Sequence, residues 1–253
     1  MSALEEMCKH AIFPHEGTGY DKDYFEYDDN GILRLKRNAP TGKIPQPADI
    51  VDYSMMFSHI ASVDGVYDLS DWDMSEALST VGMFFSCRVK SFGDLSKWNT
   101  SNIKDMSSMF SRSNIKDGVE GISNWDVSNV NSMSAMFDKF TTPTIGALDN
   151  WNVSNVQFMM SMFAECKIDY PLNLSKWDMS SVVRADNMFN GSDIKSVGDI
   201  SNWLFKVTPQ FNKMFYGCRI KDLGDLDEWF ERYPNLRKEV IGLGTKPIKN
   251  NKP

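Results

Sequence analysis

The sequence predicts a solenoid of about seven coils, an α/β repeat in which short parallel strands alternate with short helical turns. Two spacings carry that prediction. All seven tryptophans, Trp72, Trp98, Trp125, Trp151, Trp177, Trp203 and Trp229, follow one another at intervals of 26 or 27 residues. Met-Phe pairs keep the same beat at Met83-Phe84, Met109-Phe110, Met136-Phe137, Met162-Phe163, Met188-Phe189 and Met214-Phe215. Self-similarity at a period of roughly 20 to 50 residues marks units that cannot bury their apolar faces alone and must stack on one another.

The first half of each unit reads as a strand. Apolar residues recur three apart ahead of the indole, as in Val63, Val66, Leu69, Trp72; Val89, Phe92, Leu95, Trp98; Ile194, Val197, Ile200, Trp203; and Ile220, Leu223, Leu226, Trp229. These segments are short and punctuated by Gly93, Gly146, Gly198 and Gly224, which suits a brief strand with a bend better than a helix. The second half keeps spacings of three to four, as in Val130, Met133, Met136, Phe137 and Val156, Met159, Met162, Phe163, and so predicts a short helical turn. Between the halves lies a polar hinge. Its Asp73, Asn99, Asp126, Asn152 and Asp178 suit Asx turns, and Ser75, Ser101, Ser128, Ser154 and Ser180 are placed to cap the helical turn that follows.

The array spans residues 52–229, and its ends need atypical caps. Residues 1–51 form the first, where Asn30-Gly31 between Tyr24-Phe25-Glu26-Tyr27 and Ile32-Leu33-Arg34-Leu35 predicts a β-hairpin. Residues 230–253 form the second: the helix begun at Asp227 is broken by Pro234, and the polar tail from Thr245 is expected to be disordered.

Cys87, Cys166 and Cys218 share one column, three residues after their Phe, with Cys8 apart from it. Columns in coils two or three apart lie roughly 10 to 14 Å apart, beyond the roughly 7 Å a disulfide can bridge, so these thiols are expected free and buried. The formal charge is −7 and no basic run interleaves with aromatics, which argues against nucleic acid. No apolar stretch is long enough to span a membrane. The opening residues lack a basic start followed by an apolar run, so a cytoplasmic location is expected, or a surface-exposed one if an export signal was removed.

The runs from Leu95 to Phe110 and from Ile122 to Phe137 resemble the BspA-like leucine-rich repeat of bacterial surface and phage-encoded proteins, and the resemblance covers about residues 52–229. It implies a right-handed leucine-rich-repeat-like solenoid with a binding or adhesive role. The unit at Trp203 departs from the motif, with Leu204-Phe205-Lys206-Val207-Thr208-Pro209 in place of the hinge.

Enzyme chemistry has little to draw on. Only His10, His15 and His59 are present, and no nucleophile elbow, phosphate loop or metal-ligand spacing is found. The partly acidic column Asp68, Asp94, Asp199 and Asp225 suggests a carboxylate-based glycan hydrolase at most, and solvated turn residues are the simpler reading. A calcium ladder through Asp73, Asp126 and Asp178 is broken by Asn in the alternate coils. The methionine column keeps core register, which favours packing over a soft binding groove.

Binding remains. Function in a solenoid falls on positions that vary while the framework stays constant, and Tyr67, Glu120, Tyr170 and Leu172 stand out between framework residues, with Asp94 and Asp199 beside them. Phe140 fills the column that elsewhere holds Cys or Ser, either exposed or overfilling a pocket. The expectation is a monomeric, non-enzymatic scaffold without cofactor or metal. Its protein partner contacts those six residues, and inhibition of a host protein by a phage- or mobile-element product is one form of that role. The alternative is an extracellular adhesin that touches glycans or matrix.

Overall fold

The computed structural model describes residues 19–206, 210–220 and 226–234. The readings made for Cys8, His10, His15, Val207, Thr208, Pro209, Leu223, Gly224, Asp225 and the tail from Thr245 lie outside the described residues.

The chain winds into a parallel β-solenoid of about six turns with very little helix. At its start, β1 (Phe25–Tyr27) and β2 (Leu33–Leu35) pair antiparallel, with Phe25 opposite Leu35 and Tyr27 opposite Leu33. Alternation places Phe25, Leu33 and Leu35 on the buried face, where Phe25 lies 6.3 Å from Phe57 and 6.5 Å from Trp72. The hairpin therefore covers the open end of the aromatic core.

Seven strands then form one sheet in chain order: β3 (Gly42–Lys43), β4 (Ala61–Asp68), β5 (Arg88–Ser91), β6 (Asn114–Ile115), β7 (Thr141–Thr142), β8 (Lys167–Pro171) and β9 (Asp193–Ser196). All pair in parallel with their sequence neighbours, and six gaps of about 4.8 Å make the sheet about 29 Å long. A second parallel ladder of single bridges runs through Asp52, Ser79, Asp105, Ser132, Phe158, Arg184 and Gln210, on the part of each coil after the hinge.

That second half is where the structure departs from the expected helical turn. Among the described residues, the helical elements are α1 (Leu226–Arg232), followed by 3₁₀ conformation at Pro234, and a 3₁₀ turn at Ile122–Asn124. Alternate amides divide their hydrogen bonds. Met106, Ser108, Phe110 and Arg112 donate to the next coil (Ser132, Ser134, Met136 and Asp138 carbonyls), while Met109, Ser111 and Ser113 donate three residues back in their own coil. A helix would send every amide four residues back. Left-handed residues recur in two columns per coil, such as Ser108, Ala135 and Ser161 (φ 55 to 57) and Arg112, Lys139 and Glu165 (φ 51 to 61), and these break any helical run.

The hinge serines are likewise not helix caps. Ser75, Ser101, Ser128, Ser154 and Ser180 donate their amides, at 2.9 to 3.2 Å, to the side-chain oxygens of Asp73, Asn99, Asp126, Asn152 and Asp178. These are the expected Asx turns. They hold the carboxylates of Asp73, Asp126 and Asp178 below the usual range through bonds from the serine amide and hydroxyl. The Asn of the same motif ties coils together: Asn102, Asn129 and Asn155 donate their side-chain amides to the carbonyls of Ser75, Ser101 and Ser128, one coil back.

The core is an aromatic ladder. Phe57, Phe84, Phe110, Phe137, Phe163, Phe189 and Phe215 stack without a gap at 5.1 to 5.7 Å. Beside them the indoles stack in parallel pairs, Trp98 on Trp125 (5.7 Å, 2°) and Trp151 on Trp177 (6.4 Å, 5°). The phenyl column is thus the continuous spine, and the tryptophans act as register pins. Indole N–H groups of Trp98, Trp125, Trp151, Trp177 and Trp203 donate at 2.9 to 3.1 Å to the carbonyls of Leu69, Leu95, Ile122, Leu148 and Leu174, each one coil back. Phe140 is buried between Phe110 and Phe137, at 5.6 and 5.7 Å, so it overfills the thiol column and is not exposed.

Cys87 and Cys166 are buried free thiols and Cys218 is half-buried and free. Cys87 donates its S–H to the Phe57 carbonyl, and burial pushes its pKa up to about 12.

Candidate functional site

A parallel sheet is ordinarily covered on both faces. Here the inner face packs on the aromatic core while the outer face stays open to solvent, so outward side chains of β4 to β9 form a surface built by register alone. Two outward columns result. One holds Ala61, Arg88, Asn114, Thr141, Lys167 and Asp193, paired strand to strand, and continues to Arg219, whose amide donates to the Ser192 carbonyl. The other, one pleat further along, holds Lys90, Lys116, Pro143, Asp169 and Lys195. Together they enclose a shallow trough of about 560 Å³ that runs from Asn114 to Arg219.

Two bulges modulate this face. In β4, Ser62 pairs with Val89 and Val66 with Ser91, so β4 carries two extra residues. In β8, Ile168 pairs with Ile194 and Pro171 with Ser196, one extra residue. Past each bulge the register brings the residue five before Trp into the column held six before Trp in β5 and β9. This overturns two expected outward contacts. Tyr67 takes the core column of Phe92 and Leu172 the core column of Val197, and both are buried. The same bulges push other groups out: Val63, expected in the core, is 60% exposed, and Tyr170 is 40% exposed.

The remaining predicted contacts are scattered. Glu120 is exposed and bridges in parallel to Asp94, its neighbour one coil back. Tyr170 lies on β8, three coils from Asp94, or about 14 Å. Asp94 uses both carboxylate oxygens on the amide and hydroxyl of Ser96 at 2.9 Å. Asp199 accepts the Ser201 amide at 2.9 Å, and Asp68 the Ser70 amide at 3.0 Å. This acidic column shapes turns. It also faces close backbone: a Cβ on Gly121 would sit 2.7 Å from an Asp94 carboxylate oxygen and 2.2 Å from the Ser96 amide nitrogen, so only glycine fits there, at φ 88.

Sequence reasoning missed the basic columns because one or two cations in a coil look like ordinary solvated residues until the pairing aligns them. It could have found the first column by stepping from Arg88 at the tryptophan spacings of 26, 27, 26, 26 and 26 residues, which lands on Asn114, Thr141, Lys167, Asp193 and Arg219.

A second concavity of about 780 Å³ lies where the N-terminal hairpin overhangs the turns of the first coils. Its apolar floor includes Met55 and Phe85, and Ile32 of the hairpin packs with Phe85 against the cluster of Met55 and Val81. Charges of both signs line the concavity. Arg34 pairs with Asp28 at 2.5 Å and also donates to Ser58 and the Met55 carbonyl, while Arg37, Arg112, Glu26 and Asp138 line the same walls. Burial pushes the Asp138 carboxyl above the usual range. This is the seam that docks the cap on the coils. Among the described residues no three His, Cys, Asp or Glu side chains converge as a metal site would require, and no helix is long and apolar enough to cross a membrane.

Neither a curated protein nor a solved structure matches the chain. A family model does, over residues 46–118 and 111–229, and its limits follow the indole-and-phenyl repeat. The chain therefore belongs to the family described as Mycoplasma protein of unknown function, DUF285, a family of BspA-like repeats.

Proposed function

We propose that the protein is a non-enzymatic recognition scaffold whose open strand face engages a protein partner. One observation carries this reading: the inward positions repeat from coil to coil, while the outward positions of β5 to β9 do not. An invariant core under a variable surface is how a solenoid separates stability from recognition. The acids that would have to act in a hydrolase are held in turns by Ser70, Ser96 and Ser201. The Asn amides that could have met a glycan are bonded to the preceding coil. The first fact counts against a hydrolase, and the second favours a protein partner over a glycan-binding adhesin. The distribution of the resembling repeats among phage-encoded proteins makes inhibition of a host protein inside the cell the specific form of this role.

The test is affinity capture with the full chain from lysate of the producing cell and of its host, beside a glycan array. A single stoichiometric protein recovered by the wild type, and recovered weakly by Tyr170→Ala at unchanged melting temperature, supports the reading. Saturable glycan binding with no protein captured refutes it.

A further inference from the structure

The strand face carries charge opposite to that of the whole molecule. The chain is net −7, yet the two outward columns of β5 to β9 and Arg219 present Arg88, Lys90, Lys116, Lys167, Lys195 and Arg219 against only Asp169 and Asp193. Some of these cations are already held: Lys116 by Asp64 at 3.0 Å, Lys90 by Asp117 at 3.9 Å, Arg219 by Asp193 at 4.0 Å. Arg88, Lys167 and Lys195 have no ion pair among the described residues and are exposed. Lys167 and Lys195 line the trough, with the half-exposed Tyr170 between them in sequence, at the bulge.

From this juxtaposition we infer that the partner docks an acidic polypeptide segment, with discrete carboxylates, along the trough from Asn114 to Arg219. The inference rests on the recognition-scaffold reading and deepens it by naming the partner's chemistry. Charge complementarity across an interface speeds encounter and selects partners. Three features favour carboxylates on a polypeptide over a phosphate backbone. Asp169 and Asp193 sit among the cations and would repel a uniformly charged polyanion, which carries one charge per roughly 1.7 Å of duplex. The rest of the chain is net acidic, since the whole carries −7 despite these cations. No aromatic ring lines the trough, whereas a single-strand groove stacks successive bases on several. Free carboxylates between uncharged residues can instead meet Lys167 and Lys195 and avoid the two aspartates.

Fluorescence anisotropy with the full chain decides the matter. The probe is a labelled ten-residue peptide of alternating Glu and Ser. The comparators are an alternating Lys and Ser peptide and a labelled single-stranded oligonucleotide. The Glu peptide is expected to bind best, and to weaken steeply as salt shortens the screening length from about 30 Å at 0.01 M to about 8 Å at 0.15 M. The double variant Lys167→Glu/Lys195→Glu should bind it roughly tenfold or more weakly, while Lys104→Glu, exposed after the hinge and away from the strand face, leaves binding unchanged. Equal loss in the Lys104 variant, or no preference for the Glu peptide, overturns the inference. So does tighter binding of the oligonucleotide with the same dependence on Lys167 and Lys195. Failure of the recognition reading itself shows up separately, in the lysate capture.

Discussion

Replacing Trp125 with Phe tests whether indole-to-carbonyl bonds pin one coil to the next. Trp125 is buried, stacks on Trp98 at 5.7 Å and donates its ring N–H to the Leu95 carbonyl at 3.0 Å. Phenylalanine retains the stacking plane and loses the donor and part of the ring. The lost ring portion is about 40 Å³, worth about 1 kcal/mol as unfilled cavity, and a similar area at about 25 cal/mol/Å² adds about 1 kcal/mol of transfer free energy. The Leu95 carbonyl still accepts the Trp98 amide at 3.2 Å, so it is not orphaned. The lost indole bond therefore costs its net value, about 0.5 to 1.5 kcal/mol, and no further desolvation penalty. The sum is about 2.5 to 3.5 kcal/mol. Urea unfolding followed by far-UV circular dichroism measures it without relying on the fluorescence of the six remaining indoles. A loss below about 1 kcal/mol, with an unchanged slope against urea, would show that phenyl stacking alone sets coil register and would refute the argument.

Three further outcomes follow from single groups. Thr80 is fully buried and its hydroxyl has no hydrogen-bond partner, so Thr80→Val should raise stability by about 1 kcal/mol, seen as a higher melting temperature; a drop would mean the hydroxyl is satisfied. Burial holds the Cys87 thiol at about 12 and raises Cys166 as well, so a disulfide reagent at pH 8 should label both only in denaturant; labelling of either in the folded chain contradicts the packed column. The Asx turns of Asp73, Asp126 and Asp178 hold carboxyls below their unfolded value near 3.8. Their stabilisation is therefore present above about pH 4 and lost as pH falls through the folded values. The triple change to Asn, the residue already found at Asn99 and Asn152, should flatten the fall in urea midpoint between pH 5 and 2, and an unflattened curve counts against it.

Much of the architecture was legible before any coordinates. The period of Trp and Phe requires stacked coils, because those rings find cover only against their own kind in the next coil. Asx turns at Asp73 and its equivalents follow from side-chain chemistry that acts over two residues. The hairpin at Asn30-Gly31 is equally local. Spacing could not separate a helical turn from the observed turns, since Val130, Met133 and Met136 share a face in either conformation. The choice fell to alternate amides that meet carbonyls of the neighbouring coil 4.8 Å away, a contact absent from any single unit. The binding face was decided the same way. Tyr67 and Leu172 look outward by counting from Trp and are buried because the register past the bulges of β4 and β8 seats them, five before Trp, in the column that Phe92 and Val197 hold six before it. Arg88, Lys167 and Lys195 become one surface only when pairing aligns them. Sequence by itself determined that this chain stacks and which rings it stacks on; tertiary structure decided which side chains look out, because the strand partner, not the local spacing, sets the register.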